Sequence, residues 1–189
     1  RYVVAHPEIW SIDMSALPQA QLIKTPAARK LLEEEGFPRD TRLTTDPPVH
    51  TQYRMAVFKA FTPQRVKSHA AFIQSAVDDL TREMAQTDQC EFMRQFAWRL
   101  PMLVITRLLG VPYEDADKIK HWSDVWVEPL AYGLSEEREL HVAREEIALQ
   151  KYLLKHMEMK KSNPGEDILT ELANARMADG SEMKLSEKI

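Results

Sequence analysis

From Pro63 to Met84 the apolar side chains Val66, Ala70, Ile73, Val77, Leu80 and Met84 recur at steps of three and four. That period lays them along one stripe of a helix and does not suit a strand, whose faces alternate every second residue. The same kind of spacing returns in Ala116, Ile119, Trp122 and Trp126, and again in Leu140, Ile147, Leu154 and Met157. A chain with this rhythm over most of its length buries helix against helix, so the expected class is mainly α.

Proline and glycine punctuate the rhythm. Six of the eleven prolines lie in the first 48 residues, at positions 7, 18, 26, 38, 47 and 48. Proline fixes φ and removes a donor. This stretch is therefore expected to hold a short strand at 2–4, a short helix near 7–14, and otherwise loop with a helical turn around 26–35. Asp46-Pro47-Pro48 reads as the start of a helix running to about Phe61, because Asp can cap and proline suits a first turn. Thr62-Pro63 repeats the signal and opens a helix to about Gln86. Cys90-Glu91-Phe92 reads as a short extended piece. The next helix, over 94–109, ends at Gly110, where a left-handed cap belongs; Pro101 is expected to kink it or to mark its true start. Further helices are expected over 113–126, from the cap Ser135 to about Lys161, and over 166–177 after the turn Asn163-Pro164-Gly165. Ser186 reads as the cap of a helix of which three residues remain, and the chain opens on Arg1 rather than Met. Both ends are therefore expected to be cuts within a longer protein.

What is missing narrows the chemistry. The five glycines, at 36, 110, 133, 165 and 180, are too far apart for any G-x-G turn, which removes the phosphate-binding loop and the dinucleotide fingerprint. There is no G-x-S-x-G and no H-E-x-x-H. With the single cysteine Cys90 and six scattered histidines, no metal cluster is expected and no intrachain disulfide can form. Twenty-nine acids against 25 bases leave a net charge of −4, which does not invite nucleic acid. No apolar run reaches the roughly 20 residues of a membrane span. The expected setting is a reducing cytoplasm.

One segment stands apart electrostatically. From Pro47 through Val77 there is no Asp or Glu, in a chain that is acidic as a whole. The same span carries Arg54, Lys59, Arg65 and Lys67 with His50 and His69. His50 and Arg54 are four apart, so on a helix they share a face one turn apart. An imidazole beside a guanidinium fork suits an anion, a carboxylate above all. The spacing by itself is a weak signal and more often marks a solvated helix face.

The longer run around this pair is more specific. DPPVHTQYRMAVFKAFTPQRV, residues 46–66, resembles the C-helix segment of bacterial cytochrome P450 enzymes. There the pattern is D-P-P, then an H-x-x-x-R pair, then K-A-F-T-P. Other segments agree in order. Tyr2-Val3-Val4 with His6-Pro7-Glu8-Ile9 is similar to the family's first strand and B helix. Cys90-Glu91-Phe92 through Leu108-Leu109-Gly110-Val111-Pro112 is similar to its E helix, and Asp167-Ile168-Leu169-Thr170-Glu171-Leu172 to its H helix. The resemblance covers nearly the whole chain. It implies a P450-like helical fold with a minor β element, of which residues 1–189 are the N-terminal portion, from the B to the H helix region.

The resemblance implies a function as well as a fold. The family is a haem-thiolate monooxygenase family, inserting one oxygen from O2 into a small lipophilic organic substrate with electrons from a ferredoxin or flavodoxin-like donor. The cofactor is haem b, and His50 and Arg54 would hold one of its propionates. Phe58 and Phe61 would lie near the porphyrin. Lys59, Arg65 and Lys67 would face the donor, and Leu22, Phe37, Leu43, Trp126, Leu130 and Tyr132 would line the substrate pocket. The second half of the pattern is missing: no acid-alcohol helix and no cysteine haem loop are present. The axial cysteine is expected outside this sequence, since Cys90 stands before the E helix with Asp88 and Glu91 beside it, which disfavours a thiolate. No catalytic residue and no metal ligand is therefore expected among these residues, and the stretch alone is not expected to be active. The alternative is a non-catalytic α-helical interaction protein with a surface anion site at His50 and Arg54 and a Trp122–Trp126 stripe for a partner helix.

Overall fold

Proline and short polar side chains set where the helices begin. The computed structural model describes residues 6, 9–11, 13, 22–38, 45–58, 61–130, 133–177 and 180–188. Helix α1, Pro26–Glu35, starts on its proline behind Thr25, and α2, Val49–Phe58, follows Pro47-Pro48. Helix α3, Pro63–Ser68, is capped by Thr62, whose Oγ1 accepts from the Arg65 N–H. A single turn residue, His69, separates it from α4, Ala70–Met84. Next come α5, Arg99–Leu109, α6, Ala116–Val127, and α7, Glu136–Ser162. Two short helices follow, α8, Ile168–Ala173, and α9, Leu185–Lys188.

The long α7 is the axis of the arrangement. Ser135 caps it through a 3.2 Å bond from the Arg138 N–H, acids crowd its first turn and Lys160 and Lys161 its last, so both dipole ends are complemented. At 27 residues it is about 40 Å long. Its first half buries Val142, Ala143 and Ile147 against Ala28 and Leu32 of α1, Val125 of α6 and Ile23. Ala28 and Ala143 are both fully buried, and two such small side chains let helices approach closely. Its second half meets Leu169 and Ala173 of α8 around Met157 and Val111.

Buried polar groups lock the chain entering and leaving α1 onto α7. Glu139 Oε2 accepts from the backbone N–H groups of Lys24 and Thr25, at 2.9 and 2.6 Å. Gln150 makes both bonds to Phe37, accepting from its N–H and donating to its C=O, each at 2.8 Å. The chain turns between these anchors at Gly36, where a Cβ would sit 2.5 Å from Gln150 Oε1. The left-handed Gly110, at φ +79°, is tighter: a Cβ there would come 2.2 Å from Asp167 Cγ.

Several expectations are revised. The predicted strand at 2–4 lies outside the described residues, as does most of the helix predicted near 7–14. Cys90 and Glu91 are irregular rather than extended, because the Glu91 carboxylate accepts from the N–H groups of Met93 and Arg94 and so starts helix immediately. Before α5 the chain makes a π-turn, Met93–Ala97, closed by Trp98 N–H on Met93 C=O. Pro101 then falls in the first turn of α5, where a missing N–H does least damage. The helix predicted to Gln86 is broken at His69, where Ser68 Oγ donates to the Arg65 carbonyl, and Val66 and Ala70 of its supposed stripe are exposed.

The helix predicted over 166–177 stops at Ala173. Asn174 Nδ2 takes the Thr170 carbonyl, and the chain returns through an antiparallel bridge between Arg176 and Glu182. Ser186 is inside α9 and not its cap; Glu187 instead reaches back to the Lys184 N–H.

Candidate cofactor-binding site

The anchor of α2 is Tyr53, buried with Ala175, Met183 and Met177 and donating from its hydroxyl to Glu187 Oε1 at 2.9 Å. This fixes one face of the helix against the Arg176–Glu182 turn. His50 and Arg54 lie roughly 60–100° round the axis from Tyr53 and thus off the buried face. His50 is half-buried and Arg54 exposed. Among the described residues neither side chain makes a hydrogen bond or an ion pair.

That freedom is unusual in its setting. Arg65, from the same acid-free span, is taken by Glu171 of α8 at 2.9 Å. Arg99 and Arg107 of α5 are also engaged, the first by both oxygens of Glu83, the second stacked 4.4 Å over the Phe72 ring. His50 and Arg54 keep their donors because Asp46, one turn before His50, accepts from Ser11 Oγ, and among the described residues no more distant acid reaches either of them. Exposed apolar side chains stand on the same helix and just past its end: Val49 is 38% exposed, Met55 59%, Phe58 46% and Phe61 51%. A cationic pair bordered by uncovered aromatic and aliphatic groups fits a ligand with an apolar body and a carboxylate arm. The donor set thus suits a haem propionate.

The remaining predicted residues divide. Lys59, Leu43 and Tyr132 lie outside the described residues. Arg65 is committed to Glu171, which removes it as a free docking cation; Lys67 is exposed. Trp126 and Leu130 are 44% and 62% exposed, while Leu22 and Phe37 are half-buried. Between Leu22, Lys24, Pro129, Gly133, Leu134 and Glu139 lies a cavity of about 50 Å³, room for water and not for an organic molecule. Trp122 is buried and donates from Nε1 to Glu145, so the Trp122–Trp126 stripe is not a free surface. Cys90 is exposed and unpaired to any other thiol.

Sequence reading missed the groups that titrate abnormally. Burial pushes the Tyr152 hydroxyl up, and its 2.9 Å bond to Asp115 adds to this. His156, ring to ring with Tyr152 at 4.4 Å, is held below the ordinary imidazole range by burial, against the pull of Asp115 and with Lys155 and Lys160 adding to the depression. Nothing in the local sequence marks these residues, because Asp115 and Tyr152 meet only when α6 and α7 pack.

No family profile matches the chain, but individual proteins do. Cytochrome P450 107B1 of Saccharopolyspora erythraea is 35% identical over 147 residues, 78% of this chain and 34% of that protein. Cytochrome P450 monooxygenase PikC of Streptomyces venezuelae is 33% identical over 159 residues, 83% of this chain and 36% of that protein. Among solved structures, cytochrome P450 CREJ in complex with (4-ethylphenyl) dihydrogen phosphate superposes with a TM-score of 0.75 at 26% identity, over 87% of this chain and 41% of that one. The chain spans about a third of the length of the curated relatives it matches. The agreement in sequence and in helical architecture has one explanation, which is that the chain belongs to the bacterial cytochrome P450 family, as part of such a protein.

Proposed function

We propose that this chain is the part of a haem-thiolate monooxygenase that grips one haem propionate through His50 and Arg54 and walls part of the substrate pocket. The observation that carries the reading is the unclaimed imidazole–guanidinium pair of α2, set in an acid-free span and bordered by exposed Met55, Phe58 and Phe61. Arg54 would offer the propionate a guanidinium fork, and His50 a ring N–H from one turn earlier. The Tyr53–Glu187 bond holds the helix that presents both. Haem bound here would supply the oxygen chemistry, with its axial thiolate coming from outside these 189 residues.

Trp126 and Leu130, exposed at the junction of α6 and α7, would close over a small lipophilic organic substrate once the rest of the domain covers them. Lys67 would belong to the face that receives a ferredoxin or flavodoxin-like donor. The apolar side chains of α2 would be covered by haem and by the remainder of the domain.

The test is haem retention in the protein at its natural length. A charge-assisted hydrogen bond contributes about 1.5–3 kcal/mol, and the lower end applies to a side chain as exposed as Arg54. Arg54→Ala should therefore lose haem to an acceptor protein about tenfold faster, and His50→Ala should lose it faster by a smaller factor. Retention equal to the parent in both variants would overturn the assignment. The absorption spectrum of the reduced, CO-bound parent reports thiolate ligation independently.

A further inference from the structure

We propose a second site, unrelated to the haem reading, in which His121, His141 and Glu145 bind one zinc-like divalent ion between α6 and α7. His141 and Glu145 are four apart on α7, so their side chains stand on one face, one turn apart. His121 comes across from α6. Ligand atoms of the three side chains all lie within 4.8 Å of one another. A tetrahedral ion with bonds of about 2.0–2.1 Å needs its ligands roughly 3.3 Å apart. The pair His121 Nε2 and Glu145 Oε2 already stands at 3.2 Å. Small side-chain rotations of His141 complete the triangle, with the fourth position left to water.

The surroundings favour metal over a simple ion pair. The buried Trp122 donates from Nε1 to the same Glu145 oxygen at 3.1 Å, which holds the carboxylate in place as outer partners of metal ligands do. Arg138, one turn before His141, is turned away onto both oxygens of Glu128, so it does not compete for Glu145. Two imidazoles with one carboxylate form a mixed N/O set. Such a set selects borderline ions such as Zn2+ and gives Mg2+ or Ca2+, which need oxygen donors, little hold. His121 would bind in its neutral form, with the proton on Nδ1 and the Nε2 lone pair toward the ion. The ion would tie α6 to α7 across the segment that joins them.

The experiment is Zn2+ titration of the protein at its natural length, stripped with chelator, followed by calorimetry and by thermal unfolding. His121 has a side chain 53% exposed, so His121→Ala leaves the core alone; His141→Gln keeps a helix-forming side chain without the imidazole. The expected result is saturable binding of one Zn2+ per chain, weakened at least tenfold in each variant, with a Zn2+-dependent rise in Tm that both variants lose. Absence of saturable binding, or binding that survives unweakened in either variant, would overturn the proposal.

Discussion

Glu139→Ala tests whether α1 is held in place by buried hydrogen bonds or only by apolar contact. Glu139 is 4% exposed, and one of its oxygens accepts from two backbone N–H groups, those of Lys24 and Thr25. Burial disfavours its charge. The bonds from the Thr25 side chain and from the Thr25 and Lys24 N–H groups outweigh that and hold the carboxyl below the usual range. Hydrogen bonds to an ionised acceptor contribute about 1.5–3 kcal/mol each. Lys24 is exposed, so water can replace part of one bond. The expected loss is therefore about 2–3 kcal/mol for Glu139→Ala and about 1 kcal/mol for Glu139→Gln, which keeps a neutral acceptor. The assay is urea unfolding followed at several pH values. Because the folded-state pKa is lowered, the carboxylate's contribution is fully present above pH of roughly 4.3 and is lost as pH falls through the folded value. The gap between parent and Glu139→Gln should close in acid. A loss below about 0.5 kcal/mol in Glu139→Ala, or a gap independent of pH, would refute the reasoning.

Two other perturbations probe the packing around α7 and α8. Gly110→Ala places a Cβ in a left-handed conformation and 2.2 Å from Asp167, which caps Thr170 and pairs with Lys160; a loss of at least about 2 kcal/mol is expected in denaturant unfolding, larger than an ordinary cap loss. His156, kept neutral by burial, binds its proton less readily folded than unfolded, so stability should decline as pH falls below roughly 6.5 until the folded pKa is passed. His156→Gln should flatten that part of the stability–pH curve, and an unchanged slope would count against the assignment.

The helix that carries the candidate pair was legible in the residues. The acid-free span and the four-residue interval place His50 and Arg54 on one helix face, and α2 does form there. What sequence could not settle is which cations remain free. Arg54 and Arg65 look alike in the chain, yet Glu171, 106 positions away from Arg65, claims one of them. Trp122 and Trp126 likewise share a stripe by period, but Glu145 of the neighbouring helix draws Trp122 inward and leaves Trp126 outside.

The order and extent of the helices are local properties. Caps, prolines and the three-and-four rhythm act within a few residues, so α2, α6 and α7 could be read to within a residue or a few at each end. The helix ends that depart from the local pattern show where local rules yield. At 166–177 the helical period continues, but Tyr53 needs Ala175 and Met183 as its packing partners, and the chain turns back at Asn174 to supply them. The Glu139 clamp, the Asp115–Tyr152–His156 group and the His121–His141–Glu145 triangle each join residues from different elements. Only the packing of those elements creates them, because side-chain chemistry at a distance in sequence becomes an interaction only when the fold removes the distance.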